Sequence, residues 1–370
     1  MSDANRIQWY PGHMAKSLRL IEENLKLVDI VLYVLDARIP RSSFNPAFNQ
    51  LNLLQSNAKP VVYILNKDDL ADPAATAAWV KEFSRTGAAV KLSAVAAGSA
   101  KGLPALCRRI LREKLDRYAR KGVTYSLKAM IIGVPNCGKS ALINNLTRSA
   151  SAKVGNLPGV TRGKQWLRAG DIDLLDTPGV LWSDLKDQET ARRLAYAGCI
   201  KDDVLDTAQL AKSLLGELFA NGYGAGVLKR YGVSGHFSLS EPITDCPSKE
   251  NSRLQAEKSV GEQSAGKACR ADEDNAQCTM HNAQLKVGGL LSGHHTQMPD
   301  EKIPDNTSQF SILNSQFPNP EALFDFIAKK RGCIGAGGIL DAQRCATVIL
   351  DDFRAGRFGK ITLEKTILMA

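Results

Sequence analysis

The sequence predicts an α/β fold: an open, doubly wound, mostly parallel sheet followed by an all-helical C-terminal domain. Three observations carry this. Short, nearly continuous apolar runs alternate with helix-period segments through the first half of the chain, as strands buried on both faces of a parallel sheet require. A glycine-rich loop, GVPNCGKS (Gly133 to Ser140), lies between one such run and a helical segment. Beyond about Asp184 the strand-like runs stop and helical periodicity takes over.

In chain order, His13 to Val28 reads as an amphipathic helix with Leu18, Ile21, Leu25 and Val28 on one face. Strands are expected at Ile30 to Ala37, Pro60 to Asn66, Ala88 to Ser93 and Ala129 to Val134, the third being the weakest. Helices are expected between and after them at Pro73 to Phe83, Leu103 to Tyr118 and Lys139 to Thr147. Trp166 to Arg168 and Ile172 to Leu175 suggest a hairpin. The later helices are Gln188 to Ala197, Asp206 to Phe219, Pro320 to Lys330 and Ala342 to Phe353. From about Glu241 to Phe317 the chain is rich in Ser, Gln, Asn, Lys and Glu and lacks periodicity. Such a stretch buries too little apolar surface to offset its ordering entropy and reads as a disordered insertion. The expected domains are residues 1–184 and 185–370, the second interrupted at 241–317.

Of the 370 residues, 44% are hydrophobic and 23% charged, the balance of a soluble globular protein. No apolar run approaches the ~20 residues of a membrane span, and the N-terminus has no signal-peptide core. These features exclude membrane classes and make the cytoplasm the expected compartment. The net charge of +10 suits a polyanionic partner such as nucleic acid, or simply a soluble basic protein. Eight cysteines form no CxxC pair and are expected as reduced thiols. Cys278 and His281, with His294 and His295 downstream, leave a metal site open within the polar insertion.

GVPNCGKS matches G-x-x-x-x-G-K-[ST] in the context that gives the motif meaning, after a buried strand and opening a helix. Backbone N–H groups across Asn136, Cys137, Gly138, Lys139, Ser140 and Ala141 form an anion nest at a helix N-terminus. Lys139 supplies a cation for β- and γ-phosphates, and the Ser140 hydroxyl can ligate Mg2+. Downstream, LPGVTR offers Thr161 as a second hydroxyl for that ion. DTPG (Asp176 to Gly179) offers a carboxylate for the Mg2+ shell and the Gly179 N–H for the γ-phosphate. The base-reading motif is NKDD, Asn66, Lys67, Asp68 and Asp69. Asp69 can accept hydrogen bonds from guanine N1–H and the exocyclic amine; adenine lacks that donor pair. Asn66 can bond guanine N7 and brace the phosphate loop, and the Lys67 stem can cover the base. KLSA places Ser93 and Ala94 at another strand end, where the Ala94 N–H can meet guanine O6. GTP and GDP with Mg2+ are therefore the expected ligands.

The motifs run base, base, phosphate, switch, switch, whereas Ras-like GTPases run phosphate first. A circular permutation of the Ras-like P-loop fold gives this order. Together WYPGHMAK (Trp9 to Lys16), DARIP (Asp36 to Pro40), NKDD, GVPNCGKS, PGVTR and DTPG resemble the circularly permuted GTPases of the YlqF/RbgA family. The resemblance covers about residues 5–235 and 318–365. It implies a GTPase acting late in assembly of the large ribosomal subunit, its helical domain contacting rRNA, with a monomer expected. It also suggests His13 of the PGHM motif as the catalytic residue, against a role in capping or packing the first helix. Asn136 resembles an asparagine that binds K+ in related GTPases, against a hydrogen bond that braces the loop. Ala141 stands where relatives usually carry a hydroxyl, and the 241–317 stretch is longer and more polar than the family leads one to expect. Val180 stands where Ras-type enzymes hold a water-positioning glutamine. Other readings from the residues are a GTPase acting in RNA modification or stress signalling, and a GTP-dependent RNA-binding scaffold. Lys329, Lys330, Arg331, Arg354, Arg357 and Lys360 favour an RNA partner in each, or form a solvated face.

Overall fold

The computed structural model describes residues 7, 12–50, 59–147, 165–182, 185, 187–233 and 319–366. Thr161, the insertion at 241–317 and the Cys278/His281 group lie outside them. Six strands form one sheet: β1 Ile30–Asp36, β2 Val61–Asn66, β3 Ala88–Leu92, β4 Leu127–Ile132, β5 Gln165–Ala169 and β6 Ile172–Asp176. Their order is β3-β2-β1-β4-β6-β5. All pairings are parallel except that of β5 with β6. Every residue of β1 and β2 is buried, which explains why those segments read as unbroken apolar runs.

From β1 the chain winds outward through β2 to β3, then returns to add β4, β6 and β5 on the other side of β1. This reversal sets the crevice for ligands at the C-terminal strand ends. Asp36 and Asn66 stand side by side there, in register on β1 and β2. The helix Gly12–Leu25 is the first element and buries Met14 and Ile21, with Val28 just beyond it. One hydrophobic cluster runs from the sheet through Leu194, Leu214 and Leu218 to Ile327, Ile349 and Phe353. The helices Gln188–Tyr196, Thr207–Ala220, Gly224–Tyr231, Pro320–Lys330 and Ala342–Arg354 thus share their core with the sheet.

Two expectations need correction. The single helix expected at Leu103 to Tyr118 is two, Leu103–Ile110 and Arg112–Ala119. Leu111 breaks them with φ −100° and ψ 18°, outside the α region. The helix Gly224–Tyr231 was not expected, because two glycines in its first turn lower its intrinsic propensity. No helix among the described residues is long and apolar enough to cross a membrane.

Candidate nucleotide site

Asn66 is the central brace. It ends β2, is 2% exposed, and faces two loops at once. Its Nδ2 donates to the Cys137 carbonyl at 2.8 Å, and its Oδ1 accepts from the Ala94 N–H at 2.8 Å. The glycine-rich loop and the Ser93–Ala94 turn are therefore held by one amide. Gly138 has φ +101°, and any Cβ there would collide with Asn66 Nδ2, so only glycine lets the loop approach this closely. The Ala94 N–H was expected to be a donor to guanine; here it is spent on Asn66.

Lys67 follows in the left-handed region at φ 63°. Its Nζ donates to the Asn136 carbonyl at 2.8 Å and pairs with Asp36 at 2.9 Å. Asp36 also takes a two-point hydrogen bond from Arg38, Nε to Oδ1 at 2.9 Å and a terminal nitrogen to Oδ2 at 2.7 Å. Burial alone would raise the Asp36 pKa. The Arg38 and Lys67 charges outweigh it and hold the carboxyl well below the usual range. Arg38 reaches onward to the carbonyls of Phe353 and Arg354 at 3.5 and 3.3 Å and lies over the Phe353 ring. A cation thus caps the C-terminus of the last helix, where the helix dipole is negative. Neither Asp36 nor Arg38 had been given a role; a charged pair closing an apolar strand was the available signal.

On the phosphate side, Lys139 is 7% exposed, and its Nζ is held by the carbonyls of Gly133 and Val134 at 3.1 and 2.8 Å. Ser140 is half-buried one residue later. Asp176 ends β6 at 2% exposure. Gly179 packs on Pro135, where a Cβ would stand 2.6 Å from the Pro135 Cα and 3.0 Å from Lys139 Nζ. DTPG therefore abuts the glycine-rich loop. Val180 is fully buried; its N–H donates to Gly133 and its carbonyl accepts from Asn45. Asn136, at φ 56°, sends Nδ2 to the Gly198 carbonyl at 2.7 Å, out of the loop and into the helical region. His13 lies in the first turn of Gly12–Leu25, and its side chain is outside the described residues.

Part of this arrangement lines a cavity of about 490 Å3. Asn66, Lys67, Asp69, Ser93 and Ala94 line one part, with Asn136, Gly138 and Ala141 from the glycine-rich loop. Asp69 is exposed on the wall, Asp68 half-buried beside it. More of the wall comes from Ala197 and Gly198, with Asp351, Arg354, Ala355 and Arg357 from the last helix and its exit; sequence reasoning assigned Arg354 and Arg357 to an RNA partner or a solvated face and gave the other four no role. Arg354 is turned inward, bonded to Asp202 at 2.7 Å and to the carbonyls of Tyr196 and Ala195. Cys107, Cys137, Cys199, Cys333 and Cys345 are free and buried. Burial pushes the Cys199 thiol up to about 12, so it stays protonated.

Residues 128–211 match the family model described as 50S ribosome-binding GTPase. The protein of Priestia megaterium named Ribosome biogenesis GTPase A is 41% identical over 362 residues, covering 97% of this chain and 96% of its own. Its namesake in Bacillus pumilus is 34% identical over 364 residues, covering 97% and 98%. Mitochondrial ribosome-associated GTPase 1 of Mus musculus is 34% identical over 244 residues, covering 63% of this chain and 71% of its own.

Proposed function

This chain belongs to the ribosome biogenesis GTPase A family, and from that premise we propose that it hydrolyses GTP to GDP and phosphate as a timed binding switch in late assembly of the large ribosomal subunit. The observation that carries the reading is the double brace at Asn66, which fixes a guanine-type strand end to a phosphate-type loop around one cavity.

In this reading Asp69, exposed on the cavity wall, accepts the N1–H and amine of guanine. With adenine its carboxylate would be desolvated without partners. Asn66 faces N7, the Lys67 stem covers the base, and the Asp68 and Ser93 turns frame it. The loop N–H groups from Asn136 to Ala141 hold the phosphates. Lys139 exchanges the Gly133 and Val134 carbonyls for phosphate oxygens, and Gly179 senses the γ-phosphate from its seat on Pro135. The donor set suits Mg2+: a buried carboxylate (Asp176) and a hydroxyl (Ser140), with Thr161 as a further hydroxyl, all hard oxygens. When bound, the ion offsets charge between the β- and γ-phosphates. K+ would take the Asn136 amide oxygen, the hard oxygen donor of that side chain.

We divide the chain into a GTPase domain, 1–184, and a helical domain, 185–370, with the large-subunit rRNA as its partner, acting as a monomer in the cytoplasm. Turnover of GTP with and without purified large subunits tests this reading. Stimulation by large subunits, and not by small subunits or bulk RNA, is the expected result; equal rates throughout would remove the ribosome from the proposal.

A further inference from the structure

We propose that the end of the last helix is part of the nucleotide site: Asp351, Ala355 and Arg357 wall its guanosine end, and Arg357 donates hydrogen bonds to the bound nucleoside. This rests on the guanine reading of the cavity given above. The wall is fastened rather than merely nearby. The Ile361 N–H donates to the Leu70 carbonyl at 2.9 Å, and the Leu363 N–H to the Arg38 carbonyl at 2.8 Å. Thr362 Oγ1 donates to Ala37 at 3.0 Å and accepts from the Asp72 N–H at 3.2 Å. Gly356 packs so tightly on Leu70 that a Cβ would stand 2.7 Å from its Cδ2. The chain leaving the last helix is thus strapped across both loops that follow β1 and β2, the second of which carries Asp69.

Within this wall, Arg354 is committed to Asp202, Tyr196 and Ala195. Arg357 is different. Asp352 anchors one of its terminal nitrogens at 2.5 Å, while the side chain is 54% exposed on the cavity. An arginine held at one nitrogen in a cavity keeps a preorganised fork for oxygen acceptors, and the ribose and base edge supply them. Its cavity is shared by Asn66, Asp69, Ser93 and Ala94 and by Asn136, Gly138 and Ala141 of the glycine-rich loop; the neighbouring Gly356 packs on Leu70, next to Asp69, which sets Arg357 towards the guanosine end. That end is common to GTP and GDP, so the contact should strengthen both equally.

The test uses the full chain and titrations of GTP and GDP. Ala355 is exposed at a helix C-cap with φ −85° and ψ 0°, a conformation open to any residue. Ala355→Trp should therefore keep the Tm while its bulk fills the cavity, lowering GTP and GDP affinity alike by at least about tenfold. Arg357→Ala should lower both by about tenfold, the scale of one charge-assisted hydrogen bond, with the ratio of GTP to GDP affinity unchanged and Arg357→Lys recovering part of the loss. Should Ala355→Trp lower the Tm, the Arg357 pair decides alone. Unchanged affinities, or a loss confined to GTP, overturn the inference. Asp69→Asn is the control. If it switches preference to xanthosine nucleotides while the Ala355 and Arg357 variants bind normally, the inference fails alone; if guanine preference is untouched, the cavity reading and the inference fall together.

Discussion

Asn66 and Asp36 sit side by side on adjacent strands, yet they stabilise the site by different physics. Asn66 works through two neutral hydrogen bonds in a buried place. Asn66→Ala strands the Cys137 carbonyl and the Ala94 N–H, at a cost of about 2 to 4 kcal/mol. Asn66→Asp keeps an acceptor for Ala94 but presents a carboxylate to the Cys137 carbonyl. Both should lose GTP binding, and denaturant titration should rank Ala and Asp below wild type; a wild-type midpoint for Asn66→Ala would refute the brace. Asp36 works through charge. Its folded pKa is depressed by Arg38 and Lys67, so its stabilisation is full above the unfolded value near ~3.9 and fades as pH falls towards the folded one. Glu364 runs the other way, since burial raises its pKa despite the donors around it. Asp36→Asn leaves Arg38 and Lys67 uncompensated and should cost about 3 to 5 kcal/mol at neutral pH. Its stability should also fall less steeply than wild type between pH 5 and 3, as followed by thermal melts across that range. Identical acid slopes would show that the pair is not what the Asp36 charge holds.

Elements were legible where one physical effect dominated. β1 and β2 are buried on both faces, and their sequences say so. The glycine-rich loop announces itself because phosphate binding needs glycine and lysine at fixed spacing. Elements shaped by tertiary contact were not legible. The helix Gly224–Tyr231 carries Gly226 where a Cβ would collide with the Phe358 carbonyl, so close packing rather than propensity chose that residue. The segment after the last helix gave no periodic signal at all, since its bonds go to distant parts of the chain, several of them more than 280 residues earlier. Glu364 is its main fastener. It is 4% exposed and accepts from the N–H groups of Arg41 and Ser42 and from the Ser42 hydroxyl, while its own carbonyl accepts from Trp79 Nε1 at 2.9 Å. Glu364→Ala strands the Arg41 and Ser42 donors and should destabilise the protein by roughly 3 kcal/mol. Loosening of the strap should red-shift the Trp79 emission before the main unfolding transition. Loss of stability without any change at Trp79 would mean that the strap is held elsewhere.

At the scale of the whole molecule, the permuted order puts the γ-phosphate loop next to the helical region in sequence, and the structure adds contacts in space. Asn136 bonds Gly198, Arg38 caps the last helix, and Asn45 holds Val180. Each joins the phosphate or base loops to a neighbour that a partner could move. Val180 bears directly on rate. Buried and bonded through both its backbone groups, it neither hydrogen-bonds a water through its side chain nor swings out without breaking those bonds. Hydrolysis by the protein alone should therefore be slow, about 10⁻³ to 10⁻² s⁻¹. A group from outside the described core must complete the site, and His13, in the first turn of the leading helix, is the candidate within the chain. Docking on a ribosomal particle would bring that turn and the switch segments to the γ-phosphate. His13→Ala should then bind GTP and large subunits normally, keep the slow basal rate, and lose most of the stimulated rate. K+ should exceed Na+ in the basal reaction if the Asn136 amide oxygen holds the ion. Single-turnover hydrolysis in each salt, with and without large subunits, separates the two effects. Full stimulation of His13→Ala would return His13 to packing the first helix, and equal rates in K+ and Na+ would remove the ion from Asn136.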